Sequence, residues 1–106
     1  MKIYNIENMK NGWFIGNFEP SVFKNPFFEV AHHKFSAGHI GQKHTHKIAD
    51  ELTYIVKGSM KVSGNILSAG DMFLYEPNEV SDAEILEDCD LIVVKWPSVP
   101  SDKYLV

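Results

Sequence analysis

Two histidines and a carboxylate stand close together near the middle of the chain, in the run His44-Thr45-His46-Lys47-Ile48-Ala49-Asp50-Glu51. Residues two apart on a β-strand share a face, whereas on a helix they point in nearly opposite directions. On a strand, the imidazoles of His44 and His46 therefore enter one space. Glu51 lies an odd number of positions from His44, so an unbroken strand would turn it away. A loop over residues 47–50 resets the direction and lets Glu51 open the next strand facing the same interior. Two neutral imidazoles and a carboxylate form a ligand set for Zn, Mn, Fe or Ni. An HxH pair taken alone also fits two surface or core histidines beside a solvated Glu.

The elements that must position these groups read as strands. Punctuation is frequent (Gly38, Gly41, Gly58, Gly64, Gly70, Pro77, Pro97), and short runs rich in Val, Ile, Phe and Tyr lie between the marks. That spacing predicts a sandwich or barrel rather than helices. The expected strands are 27–36, 43–46, 51–57 and 59–63 (a hairpin turning at Gly58), 65–68, 72–76, and a last pair at 81–86 and 90–96 joined by an acidic turn at Glu87-Asp88. Residues 1–26 read as an N-terminal arm or flap, packed on the barrel or swapped onto a partner, and 97–106 as a tail. If Glu51 faces in, then Leu52, Tyr54 and Val56 form an outward apolar row that a second sheet or chain must cover.

Bulk properties narrow the classes. At 106 residues the chain makes one domain. Its net charge of −4, with ten Lys and no Arg, argues against nucleic acid and removes bidentate Arg clamps. No apolar stretch is long enough to span a membrane. The lone Cys89 precludes an internal disulfide and fits a reducing cytoplasm. Its acidic neighbours Asp88 and Asp90 disfavour a thiolate nucleophile. His32 and His33 point to opposite faces of a strand, so at most one enters the interior. His39, Tyr75 and Glu76 read as packing or solvated groups that a ligand could reach.

The spacing Gly38, His44, His46, Glu51, Gly58 resembles the first motif of the cupin superfamily, G(X)5HXH(X)3-4E(X)6G, at every fixed position. The second motif, G(X)5PXG(X)2H(X)3N, is present in outline. Gly70-Asp71 opens it and Pro77 follows after six residues rather than five. Counted on from Pro77, the glycine place holds Glu79, the third histidine's place Asp82, and the Asn place Leu86. The resemblance covers about residues 27–96 and implies a small all-β jelly-roll (double-stranded β-helix) barrel that commonly pairs as a homodimer. It implies a divalent metal on His44, His46 and Glu51, with Asp82 as a fourth ligand or as a surface residue that has lost the role.

Three functions follow from that resemblance. One is a metal-dependent enzyme of isomerase, epimerase or lyase type, acting on a sugar derivative or small acid. A second is a metal-free enzyme, because Gly41-Gln42-Lys43-His44-Thr45-His46-Lys47 is similar to the HxHK stretch of nucleotide-sugar ketoisomerases, although the Arg before their histidine pair is absent; that similarity implies His44 and His46 as catalytic acid and base. The third is a non-catalytic sugar-binding or accessory cupin of polysaccharide biosynthesis.

Overall fold

The computed structural model describes residues 1–106. After a single 3-10 turn at Ile6–Asn8 come nine strands: β1 (Trp13–Ile15), β2 (Glu29–Phe35), β3 (His44–Thr45), β4 (Asp50–Val62), β5 (Asn65–Ser68), β6 (Met72–Tyr75), β7 (Val80–Ser81), β8 (Ala83–Trp96) and β9 (Tyr104–Leu105). The larger sheet is ordered β1-β2-β8-β4-β5, with β6 also paired to β4, and the smaller is ordered β7-β3-β9. Every pairing between these strands is antiparallel.

Alternation decides what each strand offers the interior. Glu29, Ala31, His33 and Phe35 point in from β2, Thr53 and Ile55 follow Glu51 on β4, and Leu91, Val93 and Lys95 point in from β8. Ile55, Met60, Val62, Ile85, Cys89 and Leu91 pack together as the hydrophobic core. This apolar cluster fills one end of the barrel. Toward the other end the interior stays open as a cavity of about 550 Å³.

Two expected turns are not turns. The hairpin at Gly58 is a single strand, β4, running through it. Gly58 adopts φ +93° where the pairing with β8 slips, and a Cβ there would collide with the Asp88 carbonyl oxygen. The glycine makes a bulge, which bends the strand and shifts its phase. Inward positions are odd before it (Glu51, Thr53, Ile55) and even after it (Met60, Val62). The acidic turn at Glu87-Asp88 is likewise interior to one long strand, β8, which sits between β2 and β4 rather than at an edge. Its acidic side chains still reach solvent on the outer face, and Ser59 and the Ala37 amide bond to Glu87 and Asp88.

Strand bounds shift by small amounts elsewhere. β2 starts at Glu29 rather than residue 27, because the Asn25 side chain accepts from the amides of Phe27 and Phe28 and holds a turn there. Within residues 1–26, β1 pairs with β2 of the same chain. Trp13 and Phe18 from this segment line the cavity. The 97–106 segment adds β9, which pairs with β3.

Candidate metal and ligand site

β3, the residue just after it and the start of β4 carry the predicted ligands. His44 and His46 flank Thr45, and their rings lie 5.1 Å apart at 81°. His44 Nδ1 sits 2.7 Å from the Gln42 carbonyl oxygen. A carbonyl only accepts, so Nδ1 carries the proton and Nε2 is left free to ligate. His46 Nε2 lies 3.7 Å from Glu51 Oε2. One ligand atom from each of His44, His46 and Glu51 lies within 4.8 Å of the others. Donors about 2.1 Å from a common ion stand about 3–3.5 Å apart, so small side-chain rotations would close the set.

The electrostatics suit the same role. His46 is 6% exposed. Burial, together with nearby Lys95 and His44, pushes its pKa down to about 4, so the ring is neutral and ready to ligate at neutral pH. Burial pushes the Glu51 carboxyl up, and Lys95 beside it pulls the other way. The residues present therefore fit a divalent ion held by two imidazoles and one carboxylate.

The loop that turns Glu51 inward is fixed from a distance. Asp102 is 1% exposed. Its carboxylate accepts from the amides of Lys47 at 2.9 Å, Ile48 at 3.0 Å and Ala49 at 2.9 Å. Burial alone would raise the Asp102 pKa, but these three donors outweigh it and hold the carboxyl below its usual value. The bend at 47–50, inferred from strand parity, is thus built by a residue of the C-terminal tail.

Asp82 does not join the site. Ser81 and Ala83 on either side of it line the cavity, so alternation turns Asp82 outward. Its side chain is 54% exposed, with the Lys43 ammonium 3.9 Å away. Ser81, register partner of His44, stands where the third histidine was sought. Counting the second motif from Gly70 rather than Pro77 gives this result: the glycine place falls on Asn78, which holds φ +72°, and the histidine place on Ser81. Pro77, displaced by one residue, misled the count.

Other residues sort cleanly. His33 faces the cavity between Trp13 and Phe35, with ring centroids 5.4 and 5.3 Å away, and burial lowers its pKa. His32 faces out toward Asp90, at 3.9 Å. His39 stacks flat on Phe35 at 4.6 Å and lines the cavity mouth. The Tyr75 hydroxyl is held by Ser63 Oγ at 2.7 Å and the Asp82 amide at 3.3 Å, while Glu76 is exposed. Cys89 is buried, and burial pushes its thiol up. Sequence reasoning missed Glu29 and Lys95, which face the cavity from β2 and β8. Their signal was a charged residue at the end of each apolar alternation, Glu29-Ala31 and Leu91-Val93-Lys95.

No protein-family model and no curated protein matches the sequence. Solved structures do. The chain is 30% identical to KdgF from a Halomonas species, over 72% of this chain and 74% of that one, with a TM-score of 0.67. A Klebsiella pneumoniae protein with a double-stranded β-helix domain aligns over 99% of this chain and 91% of its own, at 18% identity and a TM-score of 0.73. Bacillus subtilis oxalate decarboxylase, described with Mn(II) centres, aligns over 77% of this chain but 25% of its own, at 19% identity and a TM-score of 0.68. The fold is a double-stranded β-helix barrel with an open cavity at one end. The chain belongs to the cupin superfamily.

Proposed function

We propose that this cupin barrel binds a divalent metal through His44, His46 and Glu51 and takes a small organic molecule into the cavity beside it. The observation that carries this reading is the convergence of the three ligand atoms within 4.8 Å at the cavity wall. Three protein ligands leave positions open to a ligand oxygen, which a bound ion would polarise as a Lewis acid. Around the opening, His44, His46 and the half-buried Glu51 present the ligand atoms, and Trp13 and Phe35 supply apolar wall. An isomerase, epimerase or lyase reaction on a sugar derivative or small acid suits this arrangement. Elemental analysis of protein purified without a His tag tests it. Near-stoichiometric metal is expected in the wild type and loss of it in a His44→Ala, His46→Ala double variant; equal trace metal in both would overturn the reading.

Ser81 in the third histidine's place favours a second reading, in which the histidine pair moves protons without metal. Solvent deuterium entering a keto-sugar nucleotide in the presence of chelator would support that alternative. We further propose that two copies pair through the outer face of the larger sheet. Two apolar rungs cross it, Leu74-Leu52-Val94 and Met72-Tyr54-Ile92. Met72, Leu74 and Tyr54 are exposed there, as the outward row beginning at Leu52 requires.

A further inference from the structure

Beside the three metal ligands the cavity wall carries a second polar pair. Glu29 on β2, Lys95 on β8 and Glu51 on β4 stand opposite one another across three neighbouring strands, all pointing inward. The Glu29 and Lys95 side chains are 4% and 8% exposed. Charged groups this buried need full hydrogen-bonding, because an unpaired one is costly in a low-dielectric interior. This pair lacks it. Lys95 Nζ lies 3.3 Å from Glu29 Oε1, yet that oxygen accepts no well-aligned hydrogen bond. An ammonium has three donors, so Lys95 keeps N–H groups to spare. Neither group is needed to hold a strand in place, since the β2 and β8 backbones already pair from Glu29–Lys95 to Phe35–Cys89.

A group that satisfies both partners must donate to Glu29 Oε1 and accept from Lys95 Nζ. A hydroxyl does both; a carboxylate or a phosphate dianion only accepts, and an amine cation only donates. The Trp13 ring lies alongside, 5.6 Å from Lys95 Nζ, and offers an apolar face to the carbon skeleton that bears the hydroxyl. We propose that Glu29 and Lys95 form a hydroxyl-binding subsite, and that the ligand of this cavity is a polyhydroxylated molecule of sugar, sugar-acid or polyol type. The proposal rests on the cavity being a ligand site and not on the metal.

A site built to bond a hydroxyl rejects the analogue that lacks it, because the analogue leaves buried polar groups unpaired. The test is calorimetric titration of the full chain with D-gluconate, sorbitol and hexanoate, alongside a Mn²⁺ titration. Gluconate or sorbitol is expected to bind about tenfold or more tighter than hexanoate. The charge-neutral variant Glu29→Gln, Lys95→Met is expected to lose that preference while keeping the Mn²⁺ stoichiometry. Should the variant fail to fold, the ¹³C shift of the Glu29 carboxylate in the wild type gives a second readout, and it is expected to move with gluconate but not with hexanoate. Absent preference, a preference retained in the variant, or an unmoved Glu29 signal would each overturn the subsite. A wild type that shows the preference but binds no Mn²⁺ would overturn the metal reading alone.

Discussion

Ser81 marks the point where this barrel departs from the usual cupin ligand set. A hydroxyl standing opposite His44 would leave a bound ion with two imidazoles and one carboxylate. Ser81→His is expected to tighten Mn²⁺ or Zn²⁺ binding by about tenfold or more, read by competition against a chelator; unchanged affinity would show that position 81 does not face the ion. His46 sets a pH dependence. Its pKa falls from 6.5 to about 4 on folding. The unfolded chain therefore takes up a proton between those values that the folded chain refuses, so stability falls as the pH drops through this window, by about 3 kcal/mol near pH 4. Glu51 acts in the opposite sense. Its raised carboxyl is protonated first in the folded state, which relieves a buried charge as the pH falls. Melting temperature followed from pH 7 to 5 in chelator is expected to decline less steeply in His46→Gln than in the wild type, and equal slopes would refute the assignment.

At the scale of elements, strand alternation and one bend place the ligands, and much of this was legible in the sequence. The pairing of His44 with His46, the reset before Glu51 and the outward Leu52 row all follow from the period of two. What was illegible depended on distant partners. Gly58 read as a hairpin turn because a local window cannot see the Asp88 carbonyl packed against it. Asp102 read as inert tail because its three amide partners lie more than fifty residues away. Asp82, open between ligand and surface residue, came from counting on from a displaced proline, and only the faces of Ser81 and Ala83 turn it outward. Asp102→Ala strips the acceptor from three amides, at least one of them buried, and is expected to cost about 3 kcal/mol by denaturant titration. It should also weaken Mn²⁺ binding although Asp102 touches no ligand atom. Gly58→Ala is expected to cost about 2 kcal/mol or more, from its positive φ and the collision with Asp88.

Taken as a whole molecule, the barrel is apolar inside at one end, polar and open at the other, and apolar on one outer face. Burying that face between two copies would remove the exposed Met72, Tyr54 and Leu74 from water. Sedimentation is expected to show a dimer in the wild type and a monomer in Tyr54→Lys, Leu74→Lys; a monomeric wild type would refute pairing. The smaller sheet has a different consequence. Its strands β7, β3 and β9 are two residues long, and they border the polar end, while β4 and β8 run thirteen and fourteen residues from that end through the apolar core. Brief unlatching of the short trio breaks few bonds and leaves the long pair untouched. Amide exchange at Thr45 should then outpace that at Ile55 by orders of magnitude, so the rim that carries His44 loosens long before the core does.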